Sequence, residues 1–195
     1  MGAAPKKATR KPRADFVRNR ERLLTAAAEV FRSGSRDASL EAVARRAEVG
    51  IGTLYRHFPT REALFEAVYR REVEQLAELA ETLAESEPPV AALRQWLHAD
   101  IRMIATKRGM LTALALAIDN SCDLYAFSFH HLTRAVGVLL ARAVAAGEIR
   151  DDITAEDLLH ALIGMCLMGQ EPDWVPGVTR LVDVFVDGLA AKRDR

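Results

Sequence analysis

The residues best suited to chemistry lie in one short run, GIGTLYRHFPTR, from Gly50 to Arg61. Thr53, Tyr55, Arg56 and His57 bring a hydroxyl, a phenol, a guanidinium and an imidazole within five positions. These groups donate hydrogen bonds to phosphate oxygens and to base edges. Arg56 is able to contact phosphate or to read a guanine bidentately, while Thr53 and Tyr55 position the backbone or touch bases. Gly52 lets a backbone approach closely, and His57 and Arg61 stand where a phosphate clamp would sit. Leu54 and Phe58, four apart, face the other way on a helix and would fix it to a core. A helix over 51–57 therefore presents one polar face, and an α-helix fits the major groove of a duplex.

A second polar group, Asp119, Ser121, Cys122, Asp123, His130 and His131, invites an enzymatic reading. Helical spacing does not assemble a nucleophile, a base and an orienting group from it. No pair of histidines stands at i, i+4, and no glycine-rich phosphate loop is present. We expect no catalytic residues, no metal and no cofactor. A helical adaptor that does not bind DNA is the other rival class.

The elements that must position the polar run are helices. Leu23, Leu24, Ala27, Val30 and Phe31 form an apolar stripe that predicts a first helix over 18–32, broken at Gly34 and Ser35. Ser39 caps a second helix through Leu40, Val43, Ala44 and Ala47, followed by a turn at Glu48, Val49 and Gly50. Pro59 stops the third helix and Thr60 caps a long fourth over 61–84. Pro88 and Pro89 open a fifth, to about Thr106. Gly109 predicts a break before a short sixth near 110–118. A seventh covers 122–146 and ends near Gly147. Thr154 and Asp157, at capping-box spacing, open an eighth to about Met168, and a ninth follows near 178–190. No strand pattern stands out. The expected fold is all-α: a three-helix head with a helix-turn-helix over 16–62, and a helical body over 63–195.

Zero net charge conceals a division. Residues 1–60 hold 13 Lys or Arg against 6 Asp or Glu, and residues 61–195 hold 14 against 21. A basic head on an acidic body fits a polyanionic partner. Lys6, Lys7, Arg10, Lys11 and Arg13 make residues 1–15 a cationic arm, expected to be mobile and able to reach phosphates or a minor groove. Cys122 and Cys166 fall in apolar helical patterns and read as buried thiols. No apolar run reaches membrane-spanning length, so we expect a cytoplasmic protein without a membrane partner.

The stretches RNRERLLTAAAEVF and SLEAVARRAEVGIGTLYRHFPTREALFEAVY resemble the DNA-binding head of the TetR family, the tetracycline-repressor-like bacterial transcription regulators. The resemblance covers the first 68 residues, and GTLYRHFPTREAL is its most specific part. It implies an all-helical homodimer on pseudopalindromic double-stranded DNA, usually a repressor; activation by the same fold is the alternative. It implies DNA contacts from the recognition helix, Gly52 to His57, with Tyr55 and His57 at places that often touch the backbone. Arg61 stands where a lysine often clamps phosphate. Ser39, Arg46 and Arg13 complete the expected DNA-binding set. The chain departs from the family at the turn, where Glu48 replaces a usual glycine; a left-handed residue with a Cβ costs about 1–2 kcal/mol. Gly50 stands where a serine or threonine cap is common, and the glycine after the first helix falls one residue early, at Gly34.

ATKRGM at 105–110 and AGEIRDDITAEDL at 146–158 are similar to a ligand-responsive branch of the same family found in high-GC actinobacteria. Trp96, Met103, Met110, Leu114 and Phe127 could line a site for a partly apolar small-molecule effector. Leu158, Leu162, Met165, Leu181, Phe185 and Leu189 are the expected dimerisation residues, with Gly164 and Gly188 permitting close helix approach. A ligand would then act by moving the fourth helix and changing the separation of two heads.

Overall fold

The computed structural model describes residues 10–32, 38–114, 122–168 and 173–191, and the backbone alone of 10–13 and 122. The described residues form eight helices: α1 (Arg10–Arg32), α2 (Leu40–Arg46), α3 (Ile51–His57), α4 (Arg61–Ser86), α5 (Pro89–Ala113), α6 (Cys122–Ala145), α7 (Ala155–Met168) and α8 (Val175–Gly188). Among them the only extended pairing is a single antiparallel bridge, Ile149 to Ala190.

Several boundaries follow from the side chains expected to set them. The Ser39 hydroxyl accepts from Ala42 N–H at 3.2 Å and starts α2, and Thr60 accepts from Ala63 N–H at 3.1 Å and starts α4. Thr154 and Asp157 form a reciprocal box: Thr154 N–H donates to Asp157 Oδ2 at 2.9 Å, and Asp157 N–H to Thr154 Oγ1 at 3.1 Å. Gly147, at φ +69°, closes the end of α6 in the left-handed region.

Two expectations change. α1 starts at Arg10, well before residue 18, so the expected arm is helical over its last residues. Phe16 supplies the reason: its ring packs 4.0 Å from that of His57 on α3, so the apolar stripe has a tertiary partner further upstream. The break at Gly109 does not occur either. α5 runs through it to Ala113, so residues 110–113 belong to α5 and not to a separate short helix. The glycine serves proximity instead. A Cβ built there would lie 1.9 Å from the Phe31 carbonyl oxygen, so the backbones of α5 and α1 meet where a side chain would not fit. The expected break at Gly34 and Ser35 and the stretch 115–118 lie outside the described residues, as do Asp119 and Ser121.

The apolar residues make two cores. One joins α1 to α4 in the head through Leu23, Phe31, Val43, Leu54, Phe58 and Leu64, and includes Met110 and Leu114 from the end of α5. The other fills the body between α4, α5, α6, α7 and α8 around Val73, Trp96, Ile101, Leu139, Leu162 and Val182. α4 and α5 thus contribute to both cores. Arg32 ties the junction further, donating to Thr106 Oγ1 and to Glu72, each at 3.1 Å.

Candidate nucleic-acid interface

α3 is seven residues long, too short to stand alone, and its anchor is apolar. Leu54 and Phe58 are buried at 1% and 2% exposure, fixing the helix against α1 and α2. Their burial turns the remaining side chains outward. Gly52, Tyr55 and Arg56 are exposed, and Thr53 is half-buried. Arg56 donates to Thr53 Oγ1 at 2.8 Å, which holds the guanidinium along the outer face. Nothing lies within 4 Å of a Cβ built at Gly50 or Gly52, so the start of the helix is open to an approaching backbone.

The turn before α3 carries strain and a compensating charge pair. Glu48 sits at φ 53°, the only non-glycine at positive φ among the described residues. Its carboxylate accepts from Arg22 Nη2 at 2.5 Å. The pair offsets the negative charge that the departure from glycine brings beside the polar face of α3. It also draws Arg22 from α1 toward the reader.

His57 is less free than its neighbours. It is half-buried against Phe16, and its Nδ1 is buried without a hydrogen-bond partner among the described residues. Burial, then Arg20 and Arg56, lower its pKa, so the ring is neutral at pH 7 and brings no cation to the surface. Arg20 also covers the face of Phe58, 4.7 Å from its centroid. Phe16, Arg20 and Arg22 were not singled out from the sequence. The four-residue step from Phe16 to Arg20 and on to Leu24, which continues the α1 stripe upstream, was the available signal.

Other expected DNA contacts already have partners. The Ser39 hydroxyl caps α2. Arg46 pairs with Glu29 at 2.8 Å across the α1–α2 contact. Arg61 is exposed at the start of α4, and its Nη1 donates to the Leu114 carbonyl at 3.3 Å, linking the head to the end of α5. The Arg13 side chain lies outside the described residues.

The expected effector lining divides. Met110 and Leu114 are buried in the head core and do not face the body's interior, because the unbroken α5 carries them to α1 and α4. Trp96 is fully buried in the body core, and its indole N–H donates to the Leu76 carbonyl at 2.8 Å, a satisfied structural role. Met103 is in the same core, and Phe127 is half-buried with Arg70 over its ring at 4.6 Å. The expected dimer set divides too. Leu158, Leu162 and Leu189 pack inside the monomer at 1%, 1% and 6% exposure. Met165 and Phe185 are half-buried, and Leu181 is 55% exposed. The exposed large apolar side chains of α7 and α8 are Leu167, Met168, Leu181 and Val184, of which only Leu181 was in the expected set. Cys166 is a buried thiol whose pKa burial pushes up to about 12; the Cys122 side chain lies outside the described residues.

Residues 23–68 match the model of the bacterial regulatory proteins of the tetR family, and residues 88–191 match that of the SbtR-like transcriptional regulator C-terminal domain. The chain belongs to the TetR family of transcription regulators. The TetR-family regulator SCO0520 of Streptomyces coelicolor is 42% identical, with a TM-score of 0.77 over 89% of this chain and 99% of that one. A TetR regulator of Mycobacterium vanbaalenii is 32% identical, with a TM-score of 0.69 over 92% and 99%. A structure that describes the control of antibiotic production by a bacterial hormone is 25% identical, with a TM-score of 0.63 over 88% and 97%. No curated protein sequence matches the chain. As a TetR-family member it is a DNA-binding, helix-turn-helix transcription regulator. No described helix is long and apolar enough to cross a membrane.

Proposed function

We propose that this TetR-family protein is a ligand-responsive repressor that acts as a homodimer on a pseudopalindromic operator. The observation that carries the reading is the outward polar face of α3: Thr53, Tyr55 and Arg56 project from a helix whose Leu54 is buried. That face fits a major groove, and the cations of α1 flank it. Leu167, Met168, Leu181 and Val184 are 70%, 82%, 55% and 69% exposed on α7 and α8. Gly164 and Gly188 on the same helices have nothing within 4 Å of a built Cβ. Two copies joined there as a four-helix seam would bury this apolar surface and present two readers about 34–36 Å apart, or a multiple of that spacing.

Response to a small molecule is supported by the similar structure concerned with a bacterial hormone, and by α4 and α5, which contribute to both cores. A ligand that favours one arrangement of these helices would change the spacing of the heads. A dimer seated over a promoter excludes polymerase, which is the basis for repression. Selection of genomic fragments by the purified protein tests the DNA reading: an inverted repeat shared among retained fragments is expected, and absence of any shared sequence would refute it. In the Arg61→Ala variant the slope of log affinity against log salt should fall by about 0.9 for each phosphate no longer neutralised, similarly for all sequences. An unchanged slope would show that Arg61 does not touch phosphate.

A further inference from the structure

Asp100 on α5 is the only carboxylate among the described residues that is buried, at 1% exposure, and its Oδ1 has no hydrogen-bond partner among them. Such an atom is expensive to leave unsatisfied. It lies where four helices bring polar groups into an otherwise apolar core. Burial, and with it the ionised Asp100 carboxyl, raises the pKa of Tyr69 on α4 and of Cys166 on α7, while the Ser128 hydroxyl on α6 lowers that of Tyr69. The donors nearby are committed. The Ser128 hydroxyl donates to the Tyr125 carbonyl at 2.9 Å. Cys166 supplies only a weak S–H donor.

The cations around this core are engaged with aromatic rings. Lys107 lies 4.8 Å over the ring of Tyr69, Arg70 lies 4.6 Å over Phe127, and Arg108 lies 4.7 Å over Trp174 and donates to the Cys166 carbonyl. They occupy the aromatic faces that a cationic ligand would need, and their charge opposes its entry. What Asp100 lacks is a neutral donor. The geometry points to Asp100 as the acceptor for an O–H or N–H group of an uncharged, mainly apolar effector, held between α4, α5, α6 and α7. This inference rests on the ligand-responsive reading above and specifies the chemistry of its ligand.

Three matched probes test it on the full-length protein: 2-naphthol, its methyl ether 2-methoxynaphthalene, and the cation 2-naphthylmethylammonium. Binding is measured by calorimetry, with retention of a selected DNA fragment measured in parallel. The alcohol should bind about tenfold more tightly than the ether, the effect of leaving Oδ1 unpaired. Asp100→Leu should erase that preference. Asp100→Asn, which keeps an acceptor oxygen and removes the charge, should retain it. Equal binding of alcohol and ether, a preference for the cation that Asp100→Asn abolishes, or no saturable binding by any probe would overturn the inference. Any of these with DNA retention intact defeats the ligand assignment alone. Failure of the unaltered protein to retain specific DNA defeats the regulatory reading itself.

Discussion

Gly109→Ala is the sharpest probe of how the body is joined to the reader. The added methyl would lie 1.9 Å from the Phe31 carbonyl oxygen and 2.9 Å from its carbon, and both are main-chain atoms with no rotamer to change. Restoring an ordinary separation requires α1 and α5 to part by more than an ångström. Overpacking of this kind costs about 1–3 kcal/mol, with backbone obstacles toward the upper end. Alanine returns about 1 kcal/mol through its higher helix propensity. The net is a loss of about 2 kcal/mol, or about 4–8 °C in Tm for a chain of this size. Gly137→Ala on α6 is the control: its Cβ would meet only Ala155 Cβ, at an ordinary 3.6 Å, so propensity should dominate and stability should rise by up to about 1 kcal/mol. Thermal unfolding of the two variants at matched protein concentration should therefore shift in opposite directions. Because Met110 and Leu114 enter the head core next to this contact, Gly109→Ala should also weaken DNA retention while Gly137→Ala does not. Equal Tm values for Gly109→Ala and the unaltered protein, with unchanged DNA affinity, would refute the claim that α5 is seated directly on α1.

Glu48→Gly should relieve about 1 kcal/mol of left-handed strain while removing a surface ion pair worth up to about 1 kcal/mol, so urea unfolding should barely move. Freed from Glu48, Arg22 is expected to raise DNA affinity several-fold at low salt, about a factor of three to ten, and retention assays across a salt series should show the gain shrinking as ionic strength rises. Burial raises the Asp100 pKa from its ordinary 3.8 to about 7. Between those values the folded protein holds a proton that the unfolded chain has released, so this residue's contribution makes stability fall as pH rises from 4 to 7, by up to about 4 kcal/mol, and level off above that. Asp100→Asn should remove that slope, which denaturant titrations at pH 5 and pH 8 would reveal. Val184→Lys places a charge on the exposed strip of α8 and should convert a dimer into a species near the 21.5 kDa monomer mass in sedimentation; a persisting dimer would place the seam elsewhere.

The sequence by itself determined the reader and most helix limits, because those depend on neighbours a few residues away. Ser39, Thr60 and the Thr154–Asp157 pair cap helices through bonds three positions along the chain. Leu54 and Phe58 turn the polar face of α3 outward through helical spacing alone. The left-handed Glu48 was legible only through the family resemblance, which puts a glycine at that place in the turn. Only the tertiary structure decided which apolar face meets which. Gly109 looks like a breaker in one dimension; in three it is the place where the α5 backbone touches Phe31, and the unbroken helix takes Met110 and Leu114 into the head. Leu158, Leu162 and Leu189 carry the same apolar signal as Leu181, yet they fill the monomer while Leu181 stays exposed. Hydrophobic burial is non-directional, so periodicity says that a face will be covered and not by what. The fate of Arg46, Arg61 and Asp100 was equally hidden, because Glu29, the Leu114 carbonyl and the donor-poor surroundings of Asp100 are set by packing between distant parts of the chain.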